Sequence, residues 1–100
     1  MQPTIGRIVH YTLTTFDAEA VNRRRKDFAD QSTPGNTGFV GHVGNRVEAG
    51  DTYPAMVVRV FGADAANLQV FLDGNDTYWA TSRPEGEAGE QGRWIWPPRA

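Results

Sequence analysis

The chain has no cysteine. This excludes a disulfide framework, a thiolate metal site and a cysteine nucleophile. Small secreted domains usually depend on disulfides, so the absence favours a reducing compartment. No apolar stretch approaches the roughly 20 residues of a membrane span, and the opening residues MQPTIGRIVHY lack the cationic and apolar segments of a signal peptide. We therefore predict a cytoplasmic protein that makes no contact with a membrane.

Lysine is nearly absent: Lys26 is the only one, so arginine supplies the rest of the 10 cations that face 12 acids. The resulting net charge of −2 argues against a general nucleic-acid binder. The run Arg23–Lys26 is expected to be solvated, because four consecutive charges wind around a helix. A nucleic-acid-binding function through this run is a third hypothesis and would require a steep salt dependence.

Catalytic signatures are also lacking. The two histidines, His10 and His42, are separated by 32 positions (42 − 10) with no flanking motif. A metal site would need at least a third ligand beside them. We therefore predict that the protein is not an enzyme and holds neither a metal ion nor a cofactor.

Short β-branched and aromatic segments joined by turn signals dominate what is present. Alternating residues of this kind are typical of strands, and Asp73-Gly74-Asn75-Asp76 is a strong hairpin signal. The pattern predicts a mainly β protein, a single domain over 1–100 built as a small SH3-like meander β-barrel of five or six strands. The predicted strands are Gly6–Leu13, Tyr53–Gly62, Asn67–Asp73, Thr77–Ser82 and Arg93–Trp96.

A helix is predicted as an insertion over 14–30, between the first two strands. Thr14 and Asp17 have the spacing of a capping box, with Asp in place of the usual Glu or Gln. A glycine-rich loop over 31–52 follows. Such loops offer backbone donors that suit a phosphate, although no phosphate-loop or dinucleotide fingerprint is present. We predict that this loop acts as a lid, with Asn36, His42, Asn45 and Arg46 as its ligand-facing residues.

The strand faces carry a prediction about assembly. Alternation places Met56, Val58 and Val60 inward, and it places Val57, Phe61 and Phe71 outward. A sheet that is apolar on both faces is covered on both sides. The second cover is either the helix or another subunit, and we predict a homo-oligomer, since most soluble oligomers are symmetric.

The aromatic residues leave two alternatives open. Trp94 and Trp96 share one face and serve together either as core or as a stacking platform. Tyr78 and Trp79 point in opposite directions, so one of them faces away from the interior. Arg59 is a lone charge in an apolar strand, where it snorkels, pairs with an acid or lines a pocket.

Four segments resemble a group of small, mostly uncharacterised proteins of tailed bacteriophages and prophages. They are GRIVHY at 6–11, PAMVVRV at 54–60, NLQVF at 67–71 and GRWIWPPR at 92–99. The resemblance covers the strands and brings a setting, the host cytoplasm, but no established functional residues. In that setting small non-enzymatic proteins serve as virion accessories, as inhibitors of a host protein, or as sponges for the nucleotide signals of host immunity.

Capture of a small nucleotide-like ligand to counter host defence is the leading hypothesis. It needs aromatic stacking for a base and arginine or backbone donors for phosphate. The alternative is a virion, assembly or adaptor protein that works through protein contacts on the Val57, Phe61 and Phe71 face. The residues predicted for the ligand pocket are His10, Tyr11, Arg59, Gln69, Trp79, Trp94 and Trp96.

Overall fold

The structure is a computed structural model that describes residues 2–31 and 42–98. Within them the strands form one antiparallel sheet in the order β4-β3-β2-β1-β5. The prediction of a mainly β fold with one helix between the first two strands is confirmed. The elements are β1 (Ile8–Thr12), α1 (Thr15–Gln31), β2 (Thr52–Phe61), β3 (Ala65–Phe71), β4 (Thr77–Arg83) and β5 (Trp94–Ile95).

The sheet is not closed, so the predicted SH3-like barrel is not confirmed. Strands β4 and β5 lie at the two edges of the sheet. Beyond the end of β4, Glu85 forms an isolated parallel bridge with Trp94. Strand β5 has only two residues, which limits how far a ladder can extend along it. Over residues 2–31 and 42–98 the architecture is therefore an open five-stranded sheet with one helix.

Helix α1 begins at the predicted capping box. The Asp17 amide donates to Thr14 Oγ1 at 3.0 Å, and the Thr14 amide donates to Asp17 Oδ2 at 3.1 Å. This reciprocal pair satisfies two of the backbone donors that a helix start leaves free. The helix then spans Thr15–Gln31, close to the predicted 14–30. Over the described residues, no helix has the length and hydrophobicity that a bilayer crossing requires.

The core lies between α1 and one face of the sheet. Apolar side chains from the helix join the inward residues of all five strands in one core. Each fully buried Val or Leu contributes roughly 1.5–3 kcal/mol relative to an exposed one. Leu68, Val70 and Leu72 are buried as alternation predicts. The largest fully buried side chains are Trp94, Tyr11, Leu13, Leu68, Val9, Val21, Val47, Val57 and Val70.

The predicted faces of β2 are wrong for its first half. Val57 is buried with Ala55, whereas Val58 is exposed. The cause is a register shift against β3 between Val57 and Arg59, since an extra residue in one strand reverses the alternation beyond it. Val60 then packs against the core as predicted. Val57, Phe61 and Phe71 therefore do not form one outward face.

Candidate functional site

Three of the residues predicted for the ligand pocket belong to the core or border it. Tyr11 and Trp94 are fully buried. Trp96 is partly buried and packs edge-on against Trp94, with ring centroids 5.5 Å apart and planes at 86°. The structure thus places the Tyr11 and Trp94 rings inside the fold and the Trp96 ring at its border.

Three other predicted residues share the sheet face that points away from the helix. Gln69 on β3 and Trp79 on β4 are direct cross-strand neighbours, and His10 lies on the same face of β1. Trp79 is 60 % exposed, whereas Tyr78 packs against the core. Of the two adjacent aromatics, Trp79 is the outer one. Arg59 is exposed beyond the register shift, with its guanidinium 4.9 Å from the ring centre of Phe61.

We call this surface the outer face. The cross-strand pairs of β1, β2, β3, β4 and β5 define it, because directly paired residues share a face. Several large apolar side chains in it are exposed. The centre of the outer face consists of Ile8, His10, Pro54, Met56, Gln69, Phe71, Thr77, Trp79 and Ile95. Beyond the register shift the pairs Arg59–Asn67 and Phe61–Ala65 extend this face, so a permanent charge, Arg59, lies at one end of it.

The predicted lid residues have separate partners. Asn36 lies outside the described residues. His42 Nδ1 lies 3.6 Å from Asp76 Oδ2. The Asn45 side-chain amide donates to Asp73 Oδ2 at 2.8 Å, and Arg46 is exposed and paired with a neighbouring glutamate. His42 and Asn45 are thus close to the turn between β3 and β4.

A buried carboxylate, Asp17, joins the helix to strands β1 and β4. Its side chain is fully buried. Tyr11 donates to Oδ2 at 2.5 Å, Tyr78 donates to Oδ1 at 2.8 Å, and Arg83 forms an ion pair with Oδ1 at 3.0 Å. Together with the Thr14 amide, four donors therefore bind the two oxygens of the carboxylate. We call this group the Asp17 cluster.

The Asp17 cluster shifts the pKa values of its members apart. Burial alone would raise the pKa of Asp17, but hydrogen bonds from Tyr11, the Thr14 backbone and Tyr78 lower it, as does the charge of Arg83. The net pKa of Asp17 is below its usual value. Burial and the bond to Asp17 raise the pKa of Tyr78 to about 12, and the same causes raise the pKa of Tyr11 further. The cluster is therefore stable as a carboxylate with two neutral phenols.

These shifts predict a loss of stability at alkaline pH. A tyrosine in the unfolded chain titrates near pH 10, so the stabilisation from Tyr78 is complete below about pH 10 and is lost as the pH rises to about 12. Urea unfolding at steps from pH 8 to pH 12 measures the loss, and Tyr78→Phe should make it shallower. A free energy of unfolding that stays constant to pH 12 would contradict the prediction.

The pH dependence that comes from Asp17 runs in the opposite direction. Because the pKa of Asp17 is lowered in the folded state, its contribution to stability is lost as the pH falls below about 4.

A second buried carboxylate, Asp76, collects two arginines of α1. Arg24 Nη2 lies 2.9 Å from Oδ2, and Arg25 Nη2 lies 2.9 Å from Oδ1. The prediction that the cationic run is solvated is therefore wrong for Arg25, which is only 8 % exposed. Arg23 and Lys26 of the same run are exposed as predicted, and Lys26 pairs with Asp30. We call Asp76, Arg24, Arg25 and His42 the Asp76 cluster.

Sequence reasoning did not find either cluster. Asp17 was recognised as a cap, but its partners Tyr78 and Arg83 are more than 60 positions away. The sequence pattern marks Asp76 only as a turn residue. However, an acid in a hairpin turn and a cationic helix have complementary charges. That complementarity is the one signal in the sequence that pointed to the second cluster.

Comparisons with known proteins do not assign the chain to a family. No protein-family model, curated protein or solved structure matches the chain. Across residues 2–31 and 42–98, no three His, Asp or Glu side chains come together as a metal site requires. Function is therefore inferred from the outer face and the two clusters.

Proposed function

We propose that this protein is a non-enzymatic binding protein that works through its outer face. The observation that carries the proposal is a largely apolar sheet face with no permanent charge at its centre, in which Trp79 is 60 % exposed. Helix α1 covers the opposite face, and no described element covers this one. Contiguous apolar surface of this kind marks interaction sites in soluble proteins, and aromatic anchors are enriched where partners bind.

The size of the outer face sets the expected strength of the contact. Strands about 4.8 Å apart, with a rise of about 3.3 Å per residue, give a face on the order of 400 Å². A standard interface buries roughly 800 Å² on each partner. The outer face supplies about half of that, so the contact is expected to be reversible unless adjoining surface also takes part.

The first partner that we propose is a second copy of the chain. Sheet faces stack against each other about 10 Å apart, and a two-fold axis brings the same patch of each copy into contact. The centre of the outer face has no permanent charge and its cation, Arg59, lies at one end, so self-contact centred on Phe71 and Trp79 brings no like charges together. In the bacteriophage setting that the sequence suggests, such a protein would serve as an assembly accessory or an adaptor.

Self-association tests the proposal directly. We expect sedimentation velocity of the wild-type protein, up to about 1 mM because an interface of this size is weak, to show mass rising above the 11.1 kDa monomer. Trp79→Ser and Phe71→Ser should abolish the rise. Phe16→Ser is the matched control, since Phe16 is 72 % exposed but lies on α1, away from the outer face.

Two results would contradict this proposal. A wild-type protein that remains at the monomer mass over the whole range would exclude a second copy as the partner. Equal loss of association in Phe16→Ser would show that the contact does not map to the outer face.

Capture of a nucleotide-like ligand is a second proposal. What favours it is the exposed ring of Trp79 beside the amide of Gln69, which offers stacking together with a hydrogen-bonding group. The same variants separate the two functions. Here Trp79→Ser would remove the rise in melting temperature that a nucleotide produces, whereas Phe71→Ser would retain it.

A further inference from the structure

A cavity of about 460 Å³ lies between the second half of α1 and the segment 42–44. Its volume is within the roughly 300–1,000 Å³ of small-molecule sites. It is separate from the outer face, because its walls come from the helix and the chain before β2. The lining residues are Arg25, Phe28, Ala29, His42, Val43 and Gly44.

Two nitrogen-bearing side chains of the wall are incompletely satisfied. Arg25 is 92 % buried (100 − 8) and donates to Asp76 and to the Asn45 carbonyl. Its Nε is buried without a hydrogen-bond partner among the described residues, and the same holds for His42 Nδ1. A buried donor that lacks an acceptor costs about 1–3 kcal/mol. Neither atom has accessible surface in this arrangement, so a ligand oxygen would offset that cost once the side chains turn toward the cavity.

The charge of the Asp76 cluster also favours an anion. Arg24 and Arg25 bring two positive charges to one negative charge on Asp76. Three further carboxylates nearby are exposed: Asp73, which accepts from Asn45, and Asp27 and Asp30 of α1, of which Asp30 pairs with Lys26. The ion pairs therefore leave an excess of one positive charge within the Asp76 cluster, and water screens the exposed carboxylates around it.

The rest of the wall is apolar. Phe28, Ala29 and Val43 contribute carbon surface, and an exposed aromatic or aliphatic wall suits the flat, apolar part of a ligand. We propose that this cavity binds a small oxyanion attached to an aromatic or other apolar ring. A carboxylate or a phosphate monoester that carries such a ring meets this description.

The two histidines of the chain provide an internal control for the test. Carbon-13 labelling of both imidazole rings allows titration by NMR with sodium benzoate, with adenosine monophosphate and with inorganic phosphate. We expect all three anions to shift the His42 signals saturably. Benzoate and inorganic phosphate should leave the His10 signals, from the outer face, in place, and a shift of His10 by adenosine monophosphate alone would report the separate nucleotide contact proposed for that face. The two ring-bearing anions should bind at least about 10-fold more tightly than inorganic phosphate, and their order distinguishes a carboxylate site from a phosphate-ester site.

Variants test the role of each wall. His42→Gln should weaken both ring-bearing anions by about 10-fold, and Phe28→Ala should remove their advantage over inorganic phosphate. Arg7→Gln removes an exposed cation elsewhere and should leave all three affinities unchanged. Thermal unfolding of each variant checks that the fold is intact.

The inference fails if no anion shifts His42, if benzoate or inorganic phosphate shifts His10 together with His42, or if His42→Gln binds as the wild type does. It also fails if inorganic phosphate binds as tightly as the ring-bearing anions, because the apolar wall would then have no role.

Discussion

Replacing Asp17 by alanine is expected to lower the free energy of unfolding by about 3–5 kcal/mol, the usual cost of breaking a buried ion pair from one side. The substitution leaves the Tyr11 and Tyr78 hydroxyls without their acceptor and Arg83 without its counter-charge. It also removes half of the capping box at Thr14. Domains of this size have about 5–15 kcal/mol in total, so the variant should be close to unfolded at 37 °C.

Urea unfolding followed by tryptophan fluorescence measures this effect. Glu19→Ala is the matched control, because Glu19 is an exposed acid on the same helix, and surface changes of this kind usually stay within about 0.5 kcal/mol. A loss below about 1 kcal/mol in Asp17→Ala would mean that the Asp17 cluster has little net effect on stability.

The second large effect is expected for Trp94→Ala. Trp94 is fully buried, and its indole N–H donates to the carbonyls of Arg83 at 3.0 Å and Asp64 at 3.1 Å. Truncation of a buried Trp typically costs about 3–5 kcal/mol, through lost contacts and the cavity that remains. The pocket hypothesis expects a folded variant that fails to bind a ligand, whereas the structure predicts a variant that is poorly folded.

Trp79→Ala provides the comparison for Trp94→Ala. The same residue type is removed from an exposed position of β4, so the free energy of unfolding should change by about 0.5 kcal/mol or less. Urea unfolding followed by far-ultraviolet circular dichroism suits both variants, because each lacks one fluorophore. A Trp94→Ala protein as stable as Trp79→Ala would contradict the placement of Trp94 in the core.

Local signals in the sequence were sufficient for the elements. The capping box at Thr14 and Asp17 placed the start of the helix, and Gly74 and Asn75 placed the turn between β3 and β4. Alternation correctly assigned the buried residues of β3. Each of these patterns spans only a few residues, so short-range steric and hydrogen-bonding preferences decide them.

Tertiary contacts were beyond such patterns. The register shift between Val57 and Arg59 has no glycine or proline to mark it, and it reversed the predicted faces of β2. The predicted ligand site also combined residues from both faces of the sheet, such as the neighbours His10 and Tyr11, because residue type does not report which side chains become buried. Contacts such as Asp17 with Arg83 join segments 66 positions apart, and no periodicity reports which distant partners will meet.

The strand order has a kinetic consequence. Strands β2, β3 and β4 are consecutive neighbours joined by short turns, whereas β1 pairs with β2 and β5 across long stretches of chain. Closing long loops costs entropy before the contacts compensate for it, so we expect the β2–β4 meander to form early and β1 to dock late. The Asp17 cluster joins β1 and α1 to β4 and would then be largely absent from the folding transition state. Its interactions would slow unfolding more than they speed folding, so that they determine how long the native state persists.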